Sequence, residues 1–168
     1  FLHCPILPVG GAESSRFLRE VGKFAGLSES FVEEVVKNEE KIYYEYFVDT
    51  ADFFSSLQNN LPYELFVTGD SLSSFGITKY LENEVGFIPN AVFVTDNPNQ
   101  KNETELLKIF ASEFPEYKDN LFFEVDSEII RKKIEPELAK TNRALVLGSD
   151  WERGYTKASG NLFQYFSA

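Results

Sequence analysis

The chain has 168 residues, enough for one domain that buries roughly 70% of its unfolded surface. Its formal net charge of −11 argues against a nucleic-acid partner, and no apolar run approaches the roughly 20 residues that span a membrane. The single cysteine excludes an internal disulfide, which fits a reducing cytoplasm, and with the single histidine it cannot enclose an iron–sulfur cluster or a structural zinc.

The sequence opens at Phe1 inside a strand-like segment, ends at Ala168 in mid-pattern and contains no methionine, so it reads as an excised piece of a longer protein. Leu2 to Val9 reads as an entering extended segment. His3 and Cys4 are a candidate metal or cluster pair, but they lack partners. A strand residue and a small buried thiol are the better reading. Gly10-Gly11 opens a helix with Phe17, Leu18, Val21, Phe24 and Ala25 on one face, closed by Gly26. The glycine pair could cradle an anion, although a plain turn explains it better. Ser28 starts a long helical stretch that reaches about Leu57, with Asn38 as the candidate break. Phe31, Val32, Val35, Ile42, Tyr46, Phe53 and Leu57 share one side. Tyr43, Tyr44, Phe47 and Phe54 add aromatic surface elsewhere, which suits either core packing or contact with other parts of a parent chain. Ser55–Pro62 is a turn.

The centre of the pattern follows. Leu65, Phe66 and Val67 form a short apolar run that stops at Gly69-Asp70. Ser71 or Ser73 is placed to cap a helix. Leu72, Phe75, Ile77, Tyr80, Leu81 and Val85 make its apolar face, Gly86 ends it and Pro89 stops its continuation. Ala91–Val94 is a second strand, closed by Thr95-Asp96. This is one right-handed βαβ unit, and the lack of polar alternation predicts helices over both faces of its strands.

Asn102 with Glu105 resembles a capping pair for the next helix, which carries Leu106, Leu107, Phe110, Ala111 and Phe114 and ends at Pro115. Leu121–Val125 is a strand, and Asp126 caps a helix interrupted near Pro136. Ala144–Leu147 is a strand ending in Gly148-Ser149, Trp151–Ser159 a short helix, and Leu162–Phe166 a last strand. The alternation predicts a single α/β domain over residues 1–168, a three-layer Rossmann-like sandwich. Its mostly parallel sheet has about four or five strands.

In open parallel sheets ligands sit beyond the carboxyl ends of the strands. Here those ends carry Gly69, Asp70 and Ser71, then Thr95 and Asp96, then Gly148 and Ser149. They read either as plain turn residues or as one edge of a cofactor or substrate cleft. A free helix N-terminus after Gly69 and the N–H groups near Ser149 would favour an anion, which Asp70 and Asp96 would oppose unless a metal bridged them. Contact through backbone and hydroxyl groups is therefore expected. Gly69-Asp70-Ser71-Leu72-Ser73-Ser74 has one glycine where the dinucleotide fingerprint needs three, so NAD or FAD is rejected there.

The ordered motifs also resemble a known family. Pro8-x-Gly10-x-x-x-Ser14-x-x-Phe17-Leu18 is similar to the P-x-G-x-x-x-T-x-x-F-L segment of nitrogenase component 1 proteins. Gly69-Asp70, then Lys79-Tyr80-Leu81, then Glu84-Val85-Gly86-Phe87-Ile88-Pro89 follow in the family's order. Val146-Leu147-Gly148-Ser149 resembles its "v-i-G-s" segment. The departures are Ser14 for threonine, the aromatic helix and an insertion around Ser55–Pro62. The resemblance implies the middle of three Rossmann-like domains in an oxidoreductase subunit. It implies as partners the other domains of that subunit, a homologous component 1 subunit and an ATP-dependent iron–sulfur reductase. The parent's iron–sulfur cluster would be held outside this segment, which itself holds no cofactor and acts as scaffold. A non-catalytic cofactor-assembly scaffold or a small-molecule-binding module is the alternative.

Overall fold

The computed structural model describes Leu2, residues 4–55 and residues 61–166. His3, Leu57 and most of the Ser55–Pro62 turn lie outside the described residues. The chain divides into two units, Phe1–Leu61 and Pro62–Ala168.

In the first unit, helices α1 (Gly10–Phe24) and α2 (Glu29–Ser55) pack on each other. The described part of Leu2–Val9 forms no strand, contrary to the expectation; Pro5 and Pro8 each withhold an N–H from any ladder. The buried positions of α1 are Gly11, Glu13, Ser15 and Gly22, whereas Phe24, expected on the packed face, is exposed, as are Phe31, Ile42 and Tyr46 of α2. Close helix packing selects small residues here: a side chain on Gly22 would collide with Val32, and one on Gly11 would stand 2.6 Å from the Tyr43 ring. Arg19 reaches across to Glu33 at 2.7 Å. α2 runs through Asn38 without a break.

The second unit is the α/β fold. Its strands are β1 (Glu64–Gly69), β2 (Ile88–Val94), β3 (Leu121–Phe123), β4 (Ala144–Gly148) and β5 (Leu162–Tyr165). They pair in the order β3-β2-β1-β4-β5, all parallel, with Val67 opposite both Val92 and Leu147. The chain steps outward from β1 to β3, then returns to place β4 on the other side of β1. Right-handed crossovers therefore put α3 (Ser71–Tyr80) and α4 (Gln100–Glu113) on one face, and α5 (Ser127–Leu138) and α6 (Asp150–Ala158) on the other. This is the Rossmann-like three-layer arrangement that the unbroken apolar strands require.

Strand alternation divides the core in two. Phe66, Ala91, Phe93, Ala144 and Val146 meet Ile130, Ile134 and Leu138 of α5 and Tyr155 of α6. Phe75 of α3 and Phe110 and Phe114 from α4 and its end are buried and form a ring series, with centroids 5.3 and 4.6 Å apart. Among the described residues, no helix is long and apolar enough to cross a membrane.

Several local boundaries differ from expectation. β2 begins at Ile88 and takes in Pro89, because a register shift between Leu65 and Phe66 skips Asn90 on the facing strand. The cap of α3 is Asp70, not Ser71 or Ser73: its carboxylate accepts from the Ser73 N–H at 2.9 Å. Likewise Asn99, not Asn102, caps α4. The helix after β1 finishes in a π-helical turn, Leu81–Val85, and Gly86 ends it with φ +88° as its type predicts. α5 continues past Pro136 to Leu138 on an exposed face, where water can take the freed carbonyl.

Candidate functional site

The strand order fixes where a ligand would approach. β1 leads to a helix on one face and the neighbouring β4 to a helix on the other, so their carboxyl ends flank the topological switch point of the sheet. Gly69-Asp70-Ser71 and Gly148-Ser149 stand at those two ends, and Thr95-Asp96 follows β2 beside β1.

The structure joins the first and third of these groups directly. The Ser71 N–H donates to both carboxylate oxygens of Asp96 at 2.9 Å, and the Ser71 hydroxyl donates to the same carboxylate at 2.5 Å. The Thr95 N–H donates to the Gly69 carbonyl at 2.9 Å. With Asp70 on the Ser73 N–H, and the Asp70 carbonyl on the Ser74 N–H at 3.0 Å, the start of α3 is closed by the chain's own acceptors. The reading of a free N-terminus after Gly69 is thus corrected, because Asp96, distant in sequence, reaches across from β2.

The end of β4 is closed in another way. Glu152, almost wholly buried, accepts from the Ser149 N–H and the Ser149 hydroxyl, each at 2.7 Å, and the Trp151 N–H reaches the Ser149 oxygen at 3.3 Å. This is a capping box on α6. A side chain on Gly148 would stand 2.8 Å from the Glu152 carboxylate, so the strand must end in glycine for Glu152 to tuck beneath it. The N–H and hydroxyl of Ser149, expected to be available to a ligand, are taken. Glu152 was missed by the sequence reading, although Ser149-Asp150-Trp151-Glu152 carries the S-x-x-E signature that finds it.

A second missed residue is Phe166. It leaves β5 by donating its N–H to the Gly148 carbonyl at 2.7 Å, and its half-buried ring lies on Gly69. A Cβ added to Gly69 would stand 2.9 Å from that ring. One residue therefore links the ends of β5, β4 and β1 at the switch point, its N–H reaching β4 and its ring β1. No motif in the sequence announces it, since it depends on β5 lying beside β4.

The donor set does not fit an iron–sulfur cluster. Among the described residues, no group of three or more His, Cys, Asp or Glu residues could hold a metal ion, and Cys4 is exposed with its Sγ 2.8 Å from the Ile6 carbonyl. Two further grooves lie in this unit. One, of about 430 Å³, runs between α5 and α6 past Arg131, Trp151 and Tyr155; the other, about 350 Å³, lies over Phe93 and Phe122 beside Lys133. No family model matches the sequence, and no curated protein matches it significantly.

Proposed function

We propose that this chain is a domain of a nitrogenase component 1-like oxidoreductase subunit, in which it serves as scaffold and lends its strand ends to one edge of the parent's cofactor or substrate cleft. The ordered motif series supports the family. The doubly wound parallel sheet supports a Rossmann-like domain of that kind. The observation that carries the scaffold role is the closure of both strand ends: Asp70, Asp96 and Glu152 take the leading N–H and hydroxyl groups. A domain so closed offers shape and inter-domain surface and supplies no charged clamp. Electrons would come from an ATP-driven iron–sulfur reductase and pass through a cluster held elsewhere in the parent.

The test uses the full-length subunit, purified anaerobically with its partners. It is expected to contain iron–sulfur cluster and to accept electrons from the reductase in an ATP-dependent manner. A parent that holds no cluster and takes no electrons would sink the reading and leave a non-catalytic holder. Within an active parent, Ser149→Ala is expected to lower turnover relative to the surface control Lys118→Ala. Equal turnover in two folded variants removes the cleft edge and leaves scaffold alone.

A further inference from the structure

The ring of Phe166 sits where an open parallel sheet receives ligands, and the ground beneath it has an unmet need. Ser74 is fully buried, and its hydroxyl has no hydrogen-bond partner among the described residues. That hydroxyl lies 3.1 Å from the point where a Gly69 Cβ would stand, in the same niche as the Phe166 ring, whose atoms lie 2.9 and 3.0 Å from that point. A buried hydroxyl without a partner is destabilising, and native structures keep such groups rarely. A phenyl ring offers it at most a weak π acceptor. A ring of the same size carrying one hydroxyl or ring nitrogen could serve it with a hydrogen bond.

The surroundings restrict the ligand further. The Ser71 and Ser73 N–H groups that would welcome an anion are occupied by Asp96 and Asp70, and those carboxylates would repel one. The absence of a Cβ on Gly69 leaves a flat surface on which a ring can lie. Phe166 holds to the sheet through its N–H on Gly148, a bond that rotation of its side chain leaves intact.

We propose that the niche over Gly69 and Ser74 is a binding slot for one flat, uncharged ring bearing a single hydrogen-bonding group, with Phe166 as its built-in occupant. The slot lies at the cleft edge of the function proposed above, but it stands on this chain alone. Its test needs neither the parent nor a cluster, so either idea can fail without the other.

Phenol and benzene are the probes, because they differ only in the hydroxyl. In Phe166→Ala the slot is vacated, and phenol is expected to bind about five-fold more tightly than benzene, the ratio one net hydrogen bond gives. Adding Ser74→Ala should bring the two probes to equal affinity, and adding Gly69→Val should abolish binding of both. In the unaltered chain, saturating phenol should shift the amide resonances of Gly69, Ser74 and Phe166 together, and equal benzene should shift them less. Equal affinities in Phe166→Ala, or no binding of either probe, overturns the proposal. Should that variant fail to fold, the unaltered chain decides: no phenol-specific shift at these three residues overturns it equally.

Discussion

The ends of β1 and β4 face one requirement and meet it by different means. Each strand stops at a glycine and passes into a helix whose first N–H groups need acceptors. At β4 the acceptor is local, since Glu152 lies three residues beyond Ser149 and is buried beneath Gly148. At β1 much of the closure comes from a distance: Asp96, 25 residues on from Ser71, binds it from the end of β2 in an exposed setting. The local device therefore belongs to one helix, while the distant one holds two loops together. The first should matter more to stability, because its acceptor is a buried side chain packed beneath the strand end, and the second more to the shape of the cleft edge.

The comparison assumes a rigid sheet beneath both ends, and the largest expected effect tests that assumption. Phe93 is fully buried and stacks on Phe122 with ring centroids 5.1 Å apart. Phe93→Ala should cost roughly 3–5 kcal/mol of unfolding free energy in urea titration, as other large core truncations do. A loss below about 1 kcal/mol would mean that the cavity collapses freely and that the sheet is no fixed frame.

The two acceptors can then be compared directly. Glu152→Ala removes a buried side chain together with both of its bonds to Ser149 and should cost about 1–3 kcal/mol. Asp96→Ala exposes its donors to water, which replaces the carboxylate, so roughly 0.5–1 kcal/mol is expected. Amide exchange should separate them in kind as well as size. Asp96→Ala should speed exchange at Ser71 while sparing α6, and Glu152→Ala should do the reverse. A larger loss from Asp96→Ala would invert the argument.

The same contrast explains what could be read from the sequence. The three inner strands and the parallel α/β class were legible, because apolar runs such as Leu65–Val67 and Ala91–Val94 allow burial on both faces and little else. The capping box was legible in principle, since all its parts lie within four residues. The Asp70 cap was displaced by neighbouring serines, which are equally good acceptors by type and differ only in where the backbone turns. Asp96 on Ser71 and Phe166 on Gly69 depend on strand neighbours, which no local pattern encodes. The α1–α2 contact was illegible for another reason: it seats Gly11 and Gly22 against Tyr43 and Val32, and glycines leave no mark in an apolar periodicity.

The smallest expected effect lies on the helix that Glu152 caps. Tyr155 is buried in the α6 side of the core, and its hydroxyl has no hydrogen-bond partner among the described residues. Burial first, then the Glu152 and Glu135 carboxylates, holds this hydroxyl protonated well above its ordinary pKa of 10.0. The folded state thus keeps a proton that the unfolded chain releases. Stability from this group is whole below about pH 10 and falls as the pH rises above it. Tyr155→Phe removes the unpartnered hydroxyl and should leave stability at neutral pH unchanged or raise it by up to about 1 kcal/mol. Between about pH 9 and about pH 11 the variant should lose less stability than the unaltered chain. A residual alkaline decline is expected from Tyr117 and Tyr165, whose hydroxyls are also raised, the first mainly by burial and the second by its bond to Asp150. Identical alkaline limbs in the two proteins would mean that Tyr155 ionises as freely when folded as when unfolded. A clear loss at neutral pH would mean that its hydroxyl has a partner after all.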